Sequence, residues 1–326
     1  MTNAEAPLFD VIILSWNRAS DTIEMVASVL RQRENRFHIW IVDQGSDSDE
    51  LRLLRDYVAP HGAVTLHELS RNVGVAAGRN IASRLGSAPF IVSLDNDALL
   101  DGDDCFGQIL DRFARDEEVA VLSFRILNYY TGLDDPLSWA YPQKLRSLSD
   151  QEFEAISFNG GGHAIRREAF EAVGGYDDSL FFYWEELDLV MRLVNRGRRI
   201  VYFPTVRLLH KVSPERRERW SDTRYYYLVR NRLYVGFKYD RSLRRFVLLA
   251  GGYLFKGFFN GLYRAPVTGA IDAIRMCRSL RQNGSSAQLP LSPTARRMVE
   301  QYNRHHRGSL VQRLRREVFV RLPGQG

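Results

Sequence analysis

The run Ile91 to Asp97, IVSLDND, sets Asp95, Asn96 and Asp97 at the end of an apolar stretch of strand length. Two carboxylates one residue apart at a strand mouth can hold a divalent cation between themselves and a ligand's phosphates, because hard cations prefer oxygen ligands. Asp and Asn are also ordinary turn residues, so the triplet gains meaning only with its neighbours. A second acidic group, Glu185, Glu186 and Asp188, opens a segment in which Leu187, Val190, Met191 and Val194 recur at helical spacing, and Gly197 stands where a C-cap belongs. Carboxylates there can accept a proton from an attacking hydroxyl. They can also simply stabilise the first turn through the helix dipole, by about 0.3–1 kcal/mol.

Such groups need a scaffold that gathers strand ends. Apolar runs at 11–15, 39–43 and 64–69 alternate with helices predicted after Asp21 and over 48–58, which is a βαβαβ pattern. Strands separated by single helices form a sheet whose ligands collect outside the carboxyl ends. Ser15 and Asn17 end the first strand, Asp43 and Gly45 the second, Asn72 the third, and Asp95 to Asp97 the fourth, so these residues share one predicted rim. Further on, the pattern predicts a helix at 104–116, a strand at 119–126 and a loop free to move over 127–150. Three glycines at 160–162 let backbone approach a ligand closely. Segments 198–204 and 206–210 read as strands broken at Pro204, the second ending in His210.

The 326 residues are 45% hydrophobic and 12% aromatic, enough for a sizeable core. Residues 1–206 carry 20 Lys and Arg against 32 Asp and Glu, whereas 207–326 carry 25 against 7. A charge that changes sign along the chain points to different partners for the two portions. Cys105 and Cys277 have no zinc-site spacing, which fits a reducing compartment. The acidic, polar first ten residues do not read as a secretory signal, and no run reaches the roughly 18 apolar residues of a membrane span. The expected location is therefore cytoplasmic. Residues 246–271 are apolar but broken by Lys256 and Arg264, and read as an interfacial or core helix. A soft boundary falls near Ser213, and 282–293 reads as a linker.

SWNR at 15–18, VDQGSDS at 42–48, RNVGVAAGRN at 71–80, LDND at 94–97, GGYDDSLFFYWEELDLVMRL at 174–193 and the strand closing at His210 together resemble the family-two glycosyltransferases, in particular their rhamnosyltransferase-like bacterial members. The resemblance covers about residues 9–212. It implies an α/β chain of GT-A type, a Rossmann-like mixed sheet flanked by helices, followed by a basic, mainly helical extension over 213–326. Residues 8–103 would then form the nucleotide-sugar half and 104–212 the acceptor half.

In that family the position of Asp43 bonds the base, an alternative being an Asx turn or helix cap. Ser15 and Asn17 match further base and ribose contacts. Asn72, Arg79 and Asn80 sit where small residues bring backbone close to the nucleotide, although these glycines could equally serve helix-on-sheet packing. GxGxxG is absent, which disfavours a nicotinamide cofactor. Asp95 and Asp97 match the DxD element, which the resemblance says binds ribose and Mn2+ or Mg2+ bridging the diphosphate, and His210 matches a position that often completes the metal site. Imidazole suits manganese better. The acceptor's base maps onto Glu186, flanked by Glu185 and Asp188, but Glu-Glu stands where the family has Glu-Asp, which leaves the identity of the base open. The aromatic run 181–184 offers rings for a sugar, or core.

The resemblance implies an inverting, metal-dependent transfer from a nucleotide sugar, dTDP-rhamnose being the subfamily's donor, to a glycan or lipid-linked saccharide in surface-polysaccharide synthesis. Two rivals are a catalytically silent nucleotide-sugar binder and a sugar-phosphate nucleotidyltransferase. The basic portion, with Tyr225, Tyr226, Tyr227 and Tyr234 among its arginines, suits the anionic cytoplasmic face of the inner membrane better than single-stranded nucleic acid.

Overall fold

The computed structural model describes residues 6–211, 221–282, 290–307, 309 and 311–312. Strands β1 (Phe9–Ser15), β2 (Phe37–Asp43), β3 (Val64–Glu68) and β4 (Phe90–Asp95) run parallel in the order β3-β2-β1-β4. Helices α1 (Ala19–Leu30), α2 (Ser48–Val58) and α3 (Val75–Leu85) connect them. Six of the seven β1 residues are buried, as expected where helices cover both sheet faces and an unbroken apolar run replaces alternation. Register then aligns the polar strand ends: Ser15 stands beside Asp43, and Leu14 beside Asp95.

Strands β5 (Ala98–Leu100), β6 (Val119–Asn128), β7 (Phe153–Ala155), β8 (Gly162–Arg166) and β9 (Arg199–His210) complete a nine-stranded mixed sheet among the described residues. β8 lies antiparallel between β4 and β6, while β9 runs parallel to β6. Helices α4 (Cys105–Ala114), α5 (Arg167–Ala172) and α6 (Glu185–Asn195) pack on this half.

Several details depart from the sequence pattern. Strand β9 continues through Pro204 because a register shift between Phe124 and Arg125 of β6 leaves residues 204–206 outside the ladder, where proline needs no partner. β5 and β7, three residues each, are too short to show a period. The later part of the segment 127–150 is packed, whereas Tyr129, Tyr130, Leu133 and Leu137 are exposed. Trp139, Tyr141, Phe153 and Tyr202 form an aromatic group with Phe153 and Tyr202 centroids 4.7 Å apart, and the Tyr141 hydroxyl bonds Ser123 Oγ at 2.6 Å.

The basic portion forms α7 (Asp222–Asp240), α8 (Leu243–Phe259), α9 (Arg264–Gln282) and α10 (Pro293–Arg307). The boundary expected near Ser213 and residues 283–289 of the expected linker lie outside the described residues. α7 does not stand apart from the sheet domain: Tyr234, Val235 and Phe237 share a core with Leu189, Val190 and Leu193 of α6. Lys238, 3% exposed, places Nζ 2.7 Å from Asp188 Oδ1 and 2.9 Å from Asp177 Oδ2. Breaking so buried a pair costs about 3–5 kcal/mol, because it strands a charge in low dielectric. Among the described residues no helix is long and apolar enough to cross a membrane.

Candidate active site

Arg79 is the centre of the carboxyl rim. α3 starts after Gly74, whose φ of +88° and contact with Phe181, 2.6 Å from where a Cβ would stand to its carbonyl oxygen, leave no room for a side chain. The helix carries the Arg79 side chain, 5% exposed, inward toward the end of β4. Nη2 donates to the Gly160 carbonyl at 2.6 Å and lies 3.4 Å from Asp95 Oδ1. Nη1 lies 3.5 Å from Glu186 Oε1 and 4.0 Å from Glu185 Oε1. Burial opposes the Arg79 charge, but the oxygens of Tyr176, Asp95, Glu186 and Glu185 outweigh it and raise its pKa.

The two glutamates differ in access. The Glu186 side chain is 21% exposed and that of Glu185 only 4%. Burial raises both pKa values; proximity to Glu186 pushes Glu185 well up, Asp95 adds to the rise at Glu186, and Arg79 works against both. Glu185 Oε2 is buried with no hydrogen-bond partner among the described residues. Two of the three glycines expected to admit a ligand admit these carboxylates: a Cβ at Gly160 would overlap Glu186 Oε1 and one at Gly161 would overlap Asp95 Oδ2, whereas one at Gly162 would overlap Leu208.

Asp97 and His210 meet because Ala98 of β5 pairs with His210 of β9. Asp97 Oδ1 lies 3.3 Å from His210 Nε2, and the other ring nitrogen lies 3.2 Å from Asp135 Oδ2. Arg18 bonds the second Asp97 oxygen. Burial opposes the Asp97 charge, yet His210 and Arg18 prevail and lower its pKa to about 2. Carboxylate oxygen and imidazole nitrogen at this spacing suit adjacent ligands of one ion, which lie about 3 Å apart at bond lengths of about 2.1 Å. A carboxylate behind the imidazole is the usual means of orienting a ligating histidine. Asp97 and His210 therefore offer one oxygen and one nitrogen donor that would fit a Mn2+ or Mg2+. Among the described residues no group of three or more such side chains forms a cation site, and Asp95 faces Arg79 instead. A cavity of about 240 Å3 opens beside Asp97, lined also by Arg18, Asp21, Glu24, Tyr129, Tyr130 and Lys211, with Lys211 paired to Asp21 and Glu24.

At the other end of the rim, Asp43 is buried and accepts bonds from Gly45 N at 3.1 Å, Ser46 N at 2.9 Å and the Ser46 hydroxyl. This is the turn-forming alternative the sequence allowed, and it ties in Asn17, whose N–H donates to Ser46 Oγ at 2.8 Å. Asn17 Oδ1 accepts from Asp47 N at 2.7 Å, and Ser15 Oγ pairs with Thr22 Oγ1 at 3.1 Å. Asn72 Oδ1 accepts from Gly74 N at 2.8 Å, shaping the entry to α3.

Two expected site residues point elsewhere. Asn80, 4% exposed, exchanges bonds with the Tyr176 backbone at 2.9 Å each way, and its amide also reaches Asp178, so it fastens α3 to the 176–178 turn. Asp188 is fully buried between Arg192, Lys238 and the Tyr239 hydroxyl, and its oxygens are committed to structure rather than to a substrate proton. The aromatic run 181–184 packs against α7: Phe181 stacks on Tyr227 at 4.9 Å, and Trp184 Nε1 donates to the Leu228 carbonyl at 3.0 Å.

Sequence reasoning missed Arg18, Asp135 and Asn231. Arg18 lay inside the SWNR motif and was legible there. Asp135 sits in an aperiodic segment with no signal. Asn231, fully buried on α7, donates its amide to the carbonyls of Leu180, Phe182 and Tyr183 at 2.6, 2.7 and 2.9 Å. It holds a loop in which Phe181, Tyr183 and Trp184 all take positive φ, directly before Glu185.

Residues 10–174 match glycosyl transferase family 2. The chain is 22% identical over 220 residues to the glucosyl-dolichyl phosphate glucuronosyltransferase of Haloferax volcanii, covering 64% of this chain and 70% of that protein. It is 37% identical over 76 residues to the N-acetylglucosaminyl-diphospho-decaprenol L-rhamnosyltransferase of Mycobacterium tuberculosis, covering 23% of this chain and 24% of that protein. The solved mannosyltransferase PcManGT from Pyrobaculum calidifontis, in complex with GDP-Man and Mn2+, shares the fold: TM-score 0.56 at 20% identity, over 95% of this chain and 88% of that one.

Proposed function

Because the chain belongs to glycosyl transferase family 2, we propose that it moves a sugar from a nucleotide-diphosphate donor to an acceptor hydroxyl, inverting the anomeric carbon. The observation that carries this reading is the convergence of Asp95 and Glu186, from β4 and α6, on Arg79 at the rim that also holds Asp97 and His210. Asn17 and Asp43 support the base and ribose through the turn they build with Ser46, Ser15 stands beside Asp43 at the end of β1, and Asn72 shapes the adjoining wall. Asp97 and His210 would hold Mn2+ or Mg2+, whose positive charge offsets that of the diphosphate when bound. Arg18 and Lys211 line the cavity beside Asp97 and would meet the departing phosphate in exchange for their partners Asp97, Asp21 and Glu24. Arg79 keeps the carboxylates from repelling one another and orients Glu186.

Glu186 is the base. It is the more open of the two glutamates, and its raised pKa makes it a stronger proton acceptor than an ordinary carboxylate. The acceptor is a saccharide on a lipid phosphate or diphosphate, a reading supported by the names of the two relatives, and the donor sugar is rhamnose carried on dTDP. The product belongs to cell-surface polysaccharide synthesis. A melting-temperature screen of nucleotide diphosphates and nucleotide sugars, with and without Mn2+, tests the donor half. Failure of every nucleotide to raise the melting temperature would end the proposal. A second reading, nucleotide-sugar binding without turnover, is favoured by the Glu185-Glu186 pair standing in place of Glu-Asp. It predicts the same thermal shift with no transfer to any lipid-linked saccharide.

A further inference from the structure

Ten of the seventeen strongly exposed large apolar side chains among the described residues lie between Leu243 and Ile274. On α8, Leu243, Val247, Leu248, Phe255, Phe258 and Phe259 fall on one side of the helix at about 100° per residue, and Leu243 and Phe259 are 69% and 58% exposed. On α9, Val267, Ile271 and Ile274 do the same. Phe258 and Tyr263, the latter 67% exposed, stand 6.0 Å apart where the two helices meet, so the exposed sides adjoin.

The opposite sides already have a core: Tyr253, Leu262, Ala265 and Ala273 pack with Tyr225 and Val229 of α7. The core beneath these helices is thus formed by the inward side chains, while the outward ones stay exposed. Residues 243–282 also carry seven Arg and Lys against one acid, Asp272, which is itself bonded to Tyr226 and Arg275. Arg244, Arg264, Arg275 and Arg278 are exposed among the apolar residues.

We propose that α8 and α9 lie flat in the surface of an anionic lipid bilayer, with their rings and branched side chains among the acyl chains and their guanidinium groups at the phosphates. A surface that is at once apolar and cationic fits that partner, because long basic side chains keep their heads in the polar layer while their stems lie on hydrocarbon. A second copy fits poorly, since a two-fold contact would press like charges together. This proposal does not rest on the catalytic reading, for lipid binding requires neither donor nor acceptor.

The test is flotation of the full-length protein with vesicles of phosphatidylcholine alone and of phosphatidylcholine mixed with phosphatidylglycerol. The expected result is binding to the mixed vesicles only, weakened by salt. Combined Phe255→Ser, Phe258→Ser and Phe259→Ser, and separately Arg264→Glu, Arg275→Glu and Arg278→Glu, should each reduce it at least about tenfold with the melting temperature unchanged. Equal binding by wild type and both variants overturns the proposal. So does a wild-type oligomer that the serine variant converts to monomer while vesicle binding persists, which would assign the face to a second copy.

Discussion

Arg79 Nη1 and Glu186 Oε1 stand 3.5 Å apart although 107 residues separate them in sequence. The pair joins the helix after β3 to the first turn of α6 and sets the proposed base beside a buried cation. Glu186→Gln keeps the side chain's shape and removes its basicity. Donor binding by calorimetry should stay within about twofold, while transfer falls at least about a hundredfold. In the wild-type enzyme, transfer should be lost with acid through a pKa above that of an ordinary glutamate, since the base must be ionised. Normal transfer by the glutamine variant would move the base to Glu185.

Glu185 sets stability against function. Its pKa is raised on folding by burial and by Glu186, so the stability it contributes is fully present below the unfolded value and disappears as pH rises through the folded one. Glu185→Gln should therefore melt higher than wild type at neutral pH. The difference should shrink toward about pH 4, where both glutamate states are protonated. Melting curves from about pH 4 to about pH 8 check this, and a difference independent of pH would contradict it.

The Asp97–His210–Asp135 series predicts graded effects on cation binding. Asp97→Ala should abolish the Mn2+-dependent part of nucleotide binding. Asp135→Asn, which leaves both proposed ligands in place but loosens the ring orientation of His210, should lower Mn2+ affinity by about 10–100-fold. Calorimetric titration of Mn2+ into each variant with a nucleoside diphosphate present reads both. Unaltered affinity in Asp135→Asn would mean that His210 needs no support, or is no ligand.

Asn231 lies on α7, outside the matched family region, yet it holds the loop before the proposed base. Asn231→Ala removes the buried donor to the Phe182 and Tyr183 carbonyls, while Leu180 O keeps Arg230 and Phe182 N, at a cost of about 1–3 kcal/mol. The loop's positive-φ residues would then relax and shift Glu186. Nucleotide binding should persist while transfer drops, a split that denaturant unfolding, calorimetry and an activity assay resolve together. Parallel loss of all three would instead mean general unfolding.

Much of this arrangement was legible in the chain. The apolar runs ending in Ser15, Asp43 and Asp95 gave strands with polar tips, and parallel pairing through single helices then placed those tips on one edge. The 127–150 segment was not legible, because its order comes from aromatic rings meeting Tyr202 of β9, a contact that leaves no period in the local sequence. The role of α7 was hidden for the same reason: in RYYYLVRNRLY one asparagine among arginines and tyrosines carries no local mark of the carbonyls it serves.

By itself the sequence determined the α/β alternation, the motifs of the rim and the reversal of charge near residue 207, because each depends on neighbouring residues or on helical and strand periods. Only the tertiary structure decided which acids face one another. Glu186 and Asp188 share a first turn and a charge, but two residues rotate a helix by about 200°, so one carboxylate reaches Arg79 and the other is buried against Lys238 of α7. No local pattern distinguishes those fates, since they depend on what packs against each side of α6.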